Sequence, residues 1–425
     1  MLRKTSSSQP PLQVGDVFDQ TLASSDEKQL IQLLRQRLGD DALSTPAAVP
    51  ELSSDIGMLR FIRGYQGNLH DACFAFLSGL AWRSANGAVA MRASLRLRDD
   101  DDLDEETLFA RYADLSRLPH WDKIGAVYPE RFFHRRDNAG NPIMITSNHL
   151  IDNVPGLLTA VSREEYEVFR TARHINLELL LDALSRKRQR LVKCVYIWDL
   201  KGFSYALYSS WQVPSVKAFF GDYDARAAVA FPESALRIVA VNVPGWLSAL
   251  WAVAKRVVPA RTLRKIIVVG TSNVTDTLVR LGGIPATAVP RELGGSCPPA
   301  ETARLMARPA ATQVHAGVLD APAGEKRWAD VAVPPRSHAL WGVLVPAKDC
   351  TLSVELRTTA PQPRTAPLFA LARVDAHAFP RGAASAGAEG ATLRVVVDNS
   401  KSFLSSKRVE WCVVLHPASS SLSVV

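Results

Sequence analysis

The sequence predicts a multidomain chain in which an N-terminal helical unit precedes a mixed α/β domain and an all-β sandwich. Three observations carry that reading. Apolar residues recur at helical spacing before residue 98, strand-like runs alternate with helix-length segments between 118 and 296, and short runs of alternating polarity follow residue 336. At 425 residues the chain exceeds one ordinary core, for which about 150 residues is the usual scale. Its 47% of hydrophobic and 22% of charged residues give enough apolar surface for packed domains and exclude wholesale disorder.

Residues 1–24, rich in Ser, Pro and Gln, are expected to be flexible. From Asp26, Leu30, Ile31, Leu34 and Leu38 fall on one helical face, with Ser25 or Asp26 as the cap. Helices over MLRFIRG and from Leu69 to Trp82 complete a helical region at 25–98. The acidic block Asp99–Asp102 with Asp104, Glu105 and Glu106 reads as a solvated hinge, because a calcium loop would need alternating ligands around a central Gly.

After Trp121 the runs PIMITSNHL, LVKCVYIWDL, ALRIVAVNV and KIIVV read as strands. Between them lie a long helix from Ser162 to about Arg188, opened by a capping box of Ser162 with Glu165, a helix over Trp211–Ala230, the apolar segment after Pro244, and the short helix TDTLVRL. This alternation gives a sheet with parallel pairs and right-handed crossovers over 118–296. The Pro- and Ala-rich stretch 297–335 reads as a linker. HALWGVLVPA, CTLSVELRT, APLFALARV, ATLRVVVDN and VEWCVVLH then form a sandwich over 336–420.

Trp246, Leu247, Leu250, Trp251, Val253 and Val257 surround the segment after Pro244 almost completely, yet it is shorter than the roughly 20 residues of a membrane span. No acid occurs between Glu233 and Asp276, while Arg237, Lys255, Arg256, Arg261, Arg264 and Lys265 do. An apolar wedge with flanking cations is the composition of an interfacial membrane element. Anionic phospholipid surfaces are therefore the expected partner, and nucleic acid is not. Five scattered cysteines and nine scattered histidines lack disulfide or metal spacing, so neither a disulfide framework nor a metal is expected.

No run of 18 apolar residues and no signal-like N-terminus occur, so a cytoplasmic protein meeting membranes from outside is expected. Asp199, Lys201 and Gly202 read as turn chemistry, VVGTSN lacks the spacing of a phosphate loop, and no G-x-S-x-G elbow is present. A non-enzymatic role follows as the expectation.

The chain resembles the CRAL-TRIO lipid-transfer family, also called the secretory-fourteen type. MLRFIRGYQGNLHDACFAFLSGLAWR is similar to that family's N-terminal helical signature, YPERFFHRRDNAGNPIMI to its entry into the first strand, and YIWDLKGFS to its D-L-K-G turn. FPESALRIVAVNVPGWLSALWAVAKRVV, RKIIVVG and AVPRELGG are similar to its closing motifs, and the resemblance spans about residues 50–295. VVVDNSKSFLSSKRVEWCVVL, with Trp341, is similar to the finish of a GOLD β-sandwich.

The resemblance implies a lipid pocket lined by the sheet and closed by a gate helix carrying Trp246, Leu247, Leu250, Trp251 and Val253, with Arg256, Arg261, Arg264 and Lys265 facing the membrane. It places an inositol-lipid headgroup at Glu233 and Lys255. Tyr65 and Gln66 stand where that family's inositol-lipid binders carry an Arg–Lys pair, and Cys194 and Tyr196 where dual-ligand members carry Ser and Thr. A bound phospholipid is the expected ligand, with no cofactor. The sandwich is expected to meet membrane or protein partners at Golgi or endosomal membranes.

Overall fold

A computed structural model of the chain describes residues 12–127, 131–147, 153–255, 260–298, 312–359 and 364–417. Three helices, α1 (Ser25–Leu43), α2 (Asp55–Gly64) and α3 (Leu69–Ala85), build the N-terminal core around Leu34, Met58, Phe61 and Phe76. The cap of α1 is Ser24, one residue before the expected position. Its side chain accepts from Glu27 N, and the Glu27 carboxylate accepts from Ser24 N, which completes a capping box.

Residues 12–24 are docked rather than flexible. Fully buried Arg63 of α2 grips Glu27 through Nε and Nη2 at 2.7 and 2.9 Å, and its Nη1 donates to the carbonyls of Asp19 and Thr21. Val17 is wholly buried, and Gln20 bonds to Asn141 and to the Leu191 carbonyl. Apolar anchors spaced through a Ser/Pro/Gln-rich composition fix this strap. Of the acidic block, Asp101, Asp102, Asp104 and Glu106 are exposed as expected, while Asp100 is buried beside Arg96 and the Tyr112 hydroxyl.

The central sheet has the order β1 (Arg131–Arg136), β2 (Pro142–Ser147), β3 (Cys194–Asp199), β4 (Ala235–Val241), β5 (Ile266–Val268). β1 and β2 are antiparallel, and β2 through β5 run parallel. The turn between β1 and β2 is held by Asp137, whose Oδ1 accepts from Ala139 N and Asn141 N. One sheet face, with Ile143, Ile145, Val195, Ile197 and Val239, packs on Leu278, Ile284, Val289 and Leu293.

Helix α4 (Val154–Ala160) is buried along its whole length, and α5 (Arg163–Arg188) starts at the expected capping box of Ser162 with Glu165. The single helix expected over Trp211–Ala230 is divided. Helix α6 (Tyr205–Gln212) ends before Pro214, which restarts the chain at the first turn of Pro214–Phe220, and Gly221 at φ 56° stops that turn before Tyr223–Ala228.

The C-terminal part is two antiparallel sheets, β10-β9-β12-β7 and β11-β8-β13-β6. Its strands are β6 (Gln313–Ala321), β7 (Lys326–Val333), β8 (Ser337–Leu344), β9 (Cys350–Thr358), β10 (Thr365–Val374), β11 (Arg381–Ser385), β12 (Ala391–Asp398) and β13 (Lys407–Pro417). The expected linker is thus too long, since β6 and β7 occupy much of it. Their Ala and Gly content, between Pro-rich flanks, hides an alternating pattern. Leu344, Cys412 and Val414 share a core with α4, so the sandwich packs onto the α/β domain. Arg381 Nη1 donates to the Leu158 carbonyl at 2.8 Å, and the Ser210 hydroxyl of α6 donates to Glu410 at 2.6 Å.

Candidate functional site

The second face of the central sheet is apolar and incompletely covered. Side chains alternate across a strand, so Met144, Tyr196, Ile238 and Ile266 lie in one row, and Thr146, Trp198, Ala240 and Val268 in the next. Met144 and Cys194, nearest the α5 core, are buried. Tyr196, Ile238, Ile266 and Val268 are half-buried, and Trp198 is 42% exposed. Burial pushes the Tyr196 hydroxyl pKa up, yet the ring keeps accessible surface, as a side chain lining a recess does.

Helix α7 (Gly245–Ala254) leaves the carboxyl end of β4, and helix α8 (Ala260–Lys265) delivers the chain to the amino end of β5. This crossover joins two parallel neighbours. Trp246 is held at the start of α7 by Phe203, Tyr205 and Tyr208, at ring-centroid distances of 5.7, 5.8 and 5.5 Å. Trp246, Leu247 and Trp251 are half-buried. The side chains of Leu250 and Val253 lie outside the described residues, as does Arg256 entirely.

At the amino ends of β3, β4 and β5, Glu233 lies buried among cations. Lys193 Nζ is 2.6 Å from Oε2, while Lys265 Nζ and Arg261 Nε are each 3.1 Å from Oε1. Arg60 Nη1 donates to the Glu233 carbonyl at 3.0 Å. Glu233 also takes φ 53°, a left-handed conformation unusual for a residue with a side chain. Helix α2 ends against it, since a Cβ on Gly64 would stand 3.8 Å from Glu233 Cγ. Desolvation alone would raise the Glu233 pKa, but Lys193, Lys265 and Arg261 overcome it and hold the carboxyl at about 2. Burial pulls Lys193 down to about 8 despite Glu233, and it lowers Lys265 as well.

Three side-chain cations thus share one carboxylate, and Arg261 Nη2 is buried without a hydrogen-bond acceptor. Such a group has spare capacity for a second anion.

Glu233 and Lys255, which the resemblance places at one headgroup, make no ion pair with each other. Lys255 is exposed at the end of α7, and Lys265 takes the place beside Glu233. Arg261 and Lys265, expected to face a membrane, turn inward because i and i+4 share one face of α8. Arg264, on another face, pairs with Asp16 at 2.8 Å and lies over the Phe18 ring. Tyr65 is half-buried just past the end of α2, and Gln66 is exposed. Cys194 and Tyr196 belong to the open sheet face, not to the charge cluster.

Sequence reasoning missed Lys193 and Arg60. The signal for Lys193 was available, as the lone charge in LVKCVYI. Behind the cluster, Arg60, His174, Glu178, Asp182 and Ser234 line a cavity of about 30 Å³, room for one or two waters.

The family model for the CRAL/TRIO domain matches residues 131–295. SEC14 cytosolic factor of Kluyveromyces lactis is 25% identical over 255 residues, which is 58% of this chain and 72% of that protein. The crystal structure of Sfh5 superposes with a TM-score of 0.40 and 14% identity over 60% of this chain and 83% of the other. The matched segment contains the whole central sheet, α7, α8 and Glu233, so it is this part of the chain that is similar to the CRAL/TRIO domain.

Proposed function

We propose that this protein binds one phospholipid between the open sheet face and α7, and moves or presents it between membranes. The observation that carries the reading is the buried Glu233 with three cations at one end of an uncovered apolar sheet face. A two-tailed lipid exposes some thirty methylenes to water, on the order of 20 kcal/mol, so a carrier must cover both tails. The half-buried row Tyr196, Ile238 and Ile266 supplies one apolar wall, and α7 supplies a movable one. Loops and short helices that leave a sheet through Asn, Pro and Gly, as Asn242–Gly245 does, are suited to such opening.

The headgroup we assign to the cluster is phosphatidylinositol. Its phosphate matches Arg261 and Lys265, and its ring hydroxyls can donate to Glu233. The β-sandwich, which resembles a GOLD domain in its last strands, serves in this reading as the adaptor that places the pocket at a membrane.

The test is lipid identification by mass spectrometry on the purified protein, together with transfer of labelled phosphatidylinositol between vesicles. Lys265→Ala lowers transfer at least tenfold, about the worth of one charge-assisted contact. Lys255→Ala leaves it unchanged. A protein that carries no lipid and transfers none overturns the proposal, and equal effects of the two substitutions overturn the headgroup assignment.

A further inference from the structure

The loop between β12 and β13, residues 399–406, holds two large apolar side chains in water. Phe403 is 91% exposed and Leu404 98%. Among the described residues, every other exposed large apolar side chain stays at 69% or below, which sets this pair apart. The loop that carries them is well fastened. Buried Asn399 donates from Nδ2 to the carbonyls of Ala321, Pro322 and Ser405, each at 2.9 Å. Ser402 N donates to the Asn399 carbonyl at 3.0 Å, Ser402 Oγ to the Ser405 carbonyl at 3.1 Å, and Ser400 Oγ to Asp398 at 2.5 Å. Both apolar side chains are thus presented outward by a pinned backbone and add nothing to the core.

Their surroundings are basic. Lys401, Lys407 and Arg408 follow Asp398, and no acid intervenes before Glu410. Lys407 and Arg408 stand 3.6 Å from Asp349 and Asp320, and Lys401 makes no ion pair among the described residues. Arg408 also lines a cleft of about 340 Å³ opposite Gly202, Ser204 and Leu207. Tyr205, which follows Ser204 in the chain, is 67% exposed and touches Trp246 of α7. Arg408 lies four positions after Leu404, at most about 14 Å of chain. The loop therefore lies within that reach of the cleft wall carrying Arg408.

We propose that residues 399–406 are a membrane-inserting loop, with Phe403 and Leu404 entering the acyl boundary of an anionic bilayer and Lys401, Lys407 and Arg408 meeting its headgroups. A lone apolar tip with serine and basic shoulders suits a bilayer, which needs no complementary shape. A protein partner would need a contiguous patch of about 800 Å² on this side. Each apolar side chain contributes roughly tenfold to partitioning, and each cation about fivefold on anionic lipid.

The experiment is vesicle flotation of the full chain on phosphatidylcholine with and without phosphatidylserine. Phe403→Ser with Leu404→Ser lowers binding to the anionic vesicles at least tenfold and leaves the thermal midpoint unchanged. Lys401→Ala removes only part of the phosphatidylserine dependence. As an independent readout, Phe403→Trp gives an indole whose emission shifts to the blue on vesicles and is quenched by brominated acyl chains. Unchanged flotation of the double variant, or an indole at 403 that stays in water on the vesicle, overturns the proposal. A protein-docking role would give that second result. Lipid load is measured separately, so failure of the loop does not imply failure of the headgroup site.

Discussion

Replacing Glu233 by Gln keeps the shape of the side chain and removes the carboxylate that Lys193, Arg261 and Lys265 share. The magnitude follows from its titration. The carboxyl is held at about 2 against an ordinary 4.5, which corresponds to roughly 3 kcal/mol of favourable interaction with the cations. Because the folded-state pKa is depressed, that stability is fully present above 4.5 and is lost as the pH falls toward 2. Removing the carboxylate also leaves cations facing one another in a dry site, which typically costs about 3–5 kcal/mol. Lys193 limits the penalty. It already titrates at about 8, and without Glu233 it falls further and sheds its proton near neutral pH.

The expected result is a loss of about 3 kcal/mol in urea unfolding at pH 7, shrinking toward zero near pH 2, where the native carboxyl is protonated too. Inorganic phosphate then stabilises Glu233→Gln more than the native protein, because it binds the folded variant's orphaned cations. A variant as stable as the native chain at pH 7, or a loss that is the same at pH 7 and near pH 2, refutes the reasoning.

Trp246→Ala removes three aromatic contacts, each worth about 0.5–1.5 kcal/mol, that fasten α7 to Phe203, Tyr205 and Tyr208. Dilution of a labelled phospholipid out of the loaded protein should speed up, and a rate equal to or below the native one would show that these rings do not latch the gate. Arg63→Ala strands Glu27, whose carboxyl Arg63 holds at about 2 against the opposing effect of desolvation, and should destabilise the helical unit by about 3–5 kcal/mol. Limited proteolysis reads the same change as new cleavage within residues 12–24. Arg63→Lys should not rescue it, because an ammonium cannot span the two Glu27 oxygens and the carbonyls of Asp19 and Thr21 together.

Elements whose identity rests on local chemistry were legible in the sequence. The capping box at Ser162, the turn at Asp137, the four parallel strands and the apolar crossover after Pro244 each follow from a few adjacent residues. The strap at 12–24 was not, because its order depends on Arg63 and Leu191, far away in the chain. Strands β6 and β7 were hidden for the opposite reason. Their composition is loop-like, and only pairing with β13 and β12 makes strands of them. Glu233 was singled out, but Lys193, Arg261 and Lys265 were not placed beside it. Lys255 was named from the family resemblance alone, whereas α7 begins at the carboxyl end of β4 and Glu233 sits at the amino end.

That polarity also explains why one basic stretch does two jobs. From Ser234 to Thr275 there is no acid, so the cations of the crossover must find their counter-charges outside it. Helical spacing then sorts them: Arg261 and Lys265 share a face and reach Glu233, Arg264 misses it by one position and takes Asp16 from the strap, and Lys255 stays in water. The strap joins the same centre through the Val17 carbonyl, which accepts from Lys193 Nζ at 3.1 Å, and α2 joins it through Arg60. Strap, helical unit and sheet therefore meet at one carboxylate. An anion that draws Arg261 and Lys265 away from Glu233 leaves Lys193 as the carboxylate's remaining side-chain cation, and if that shift alters the contacts of the strap and α2, linkage requires those contacts to alter anion binding by the same factor.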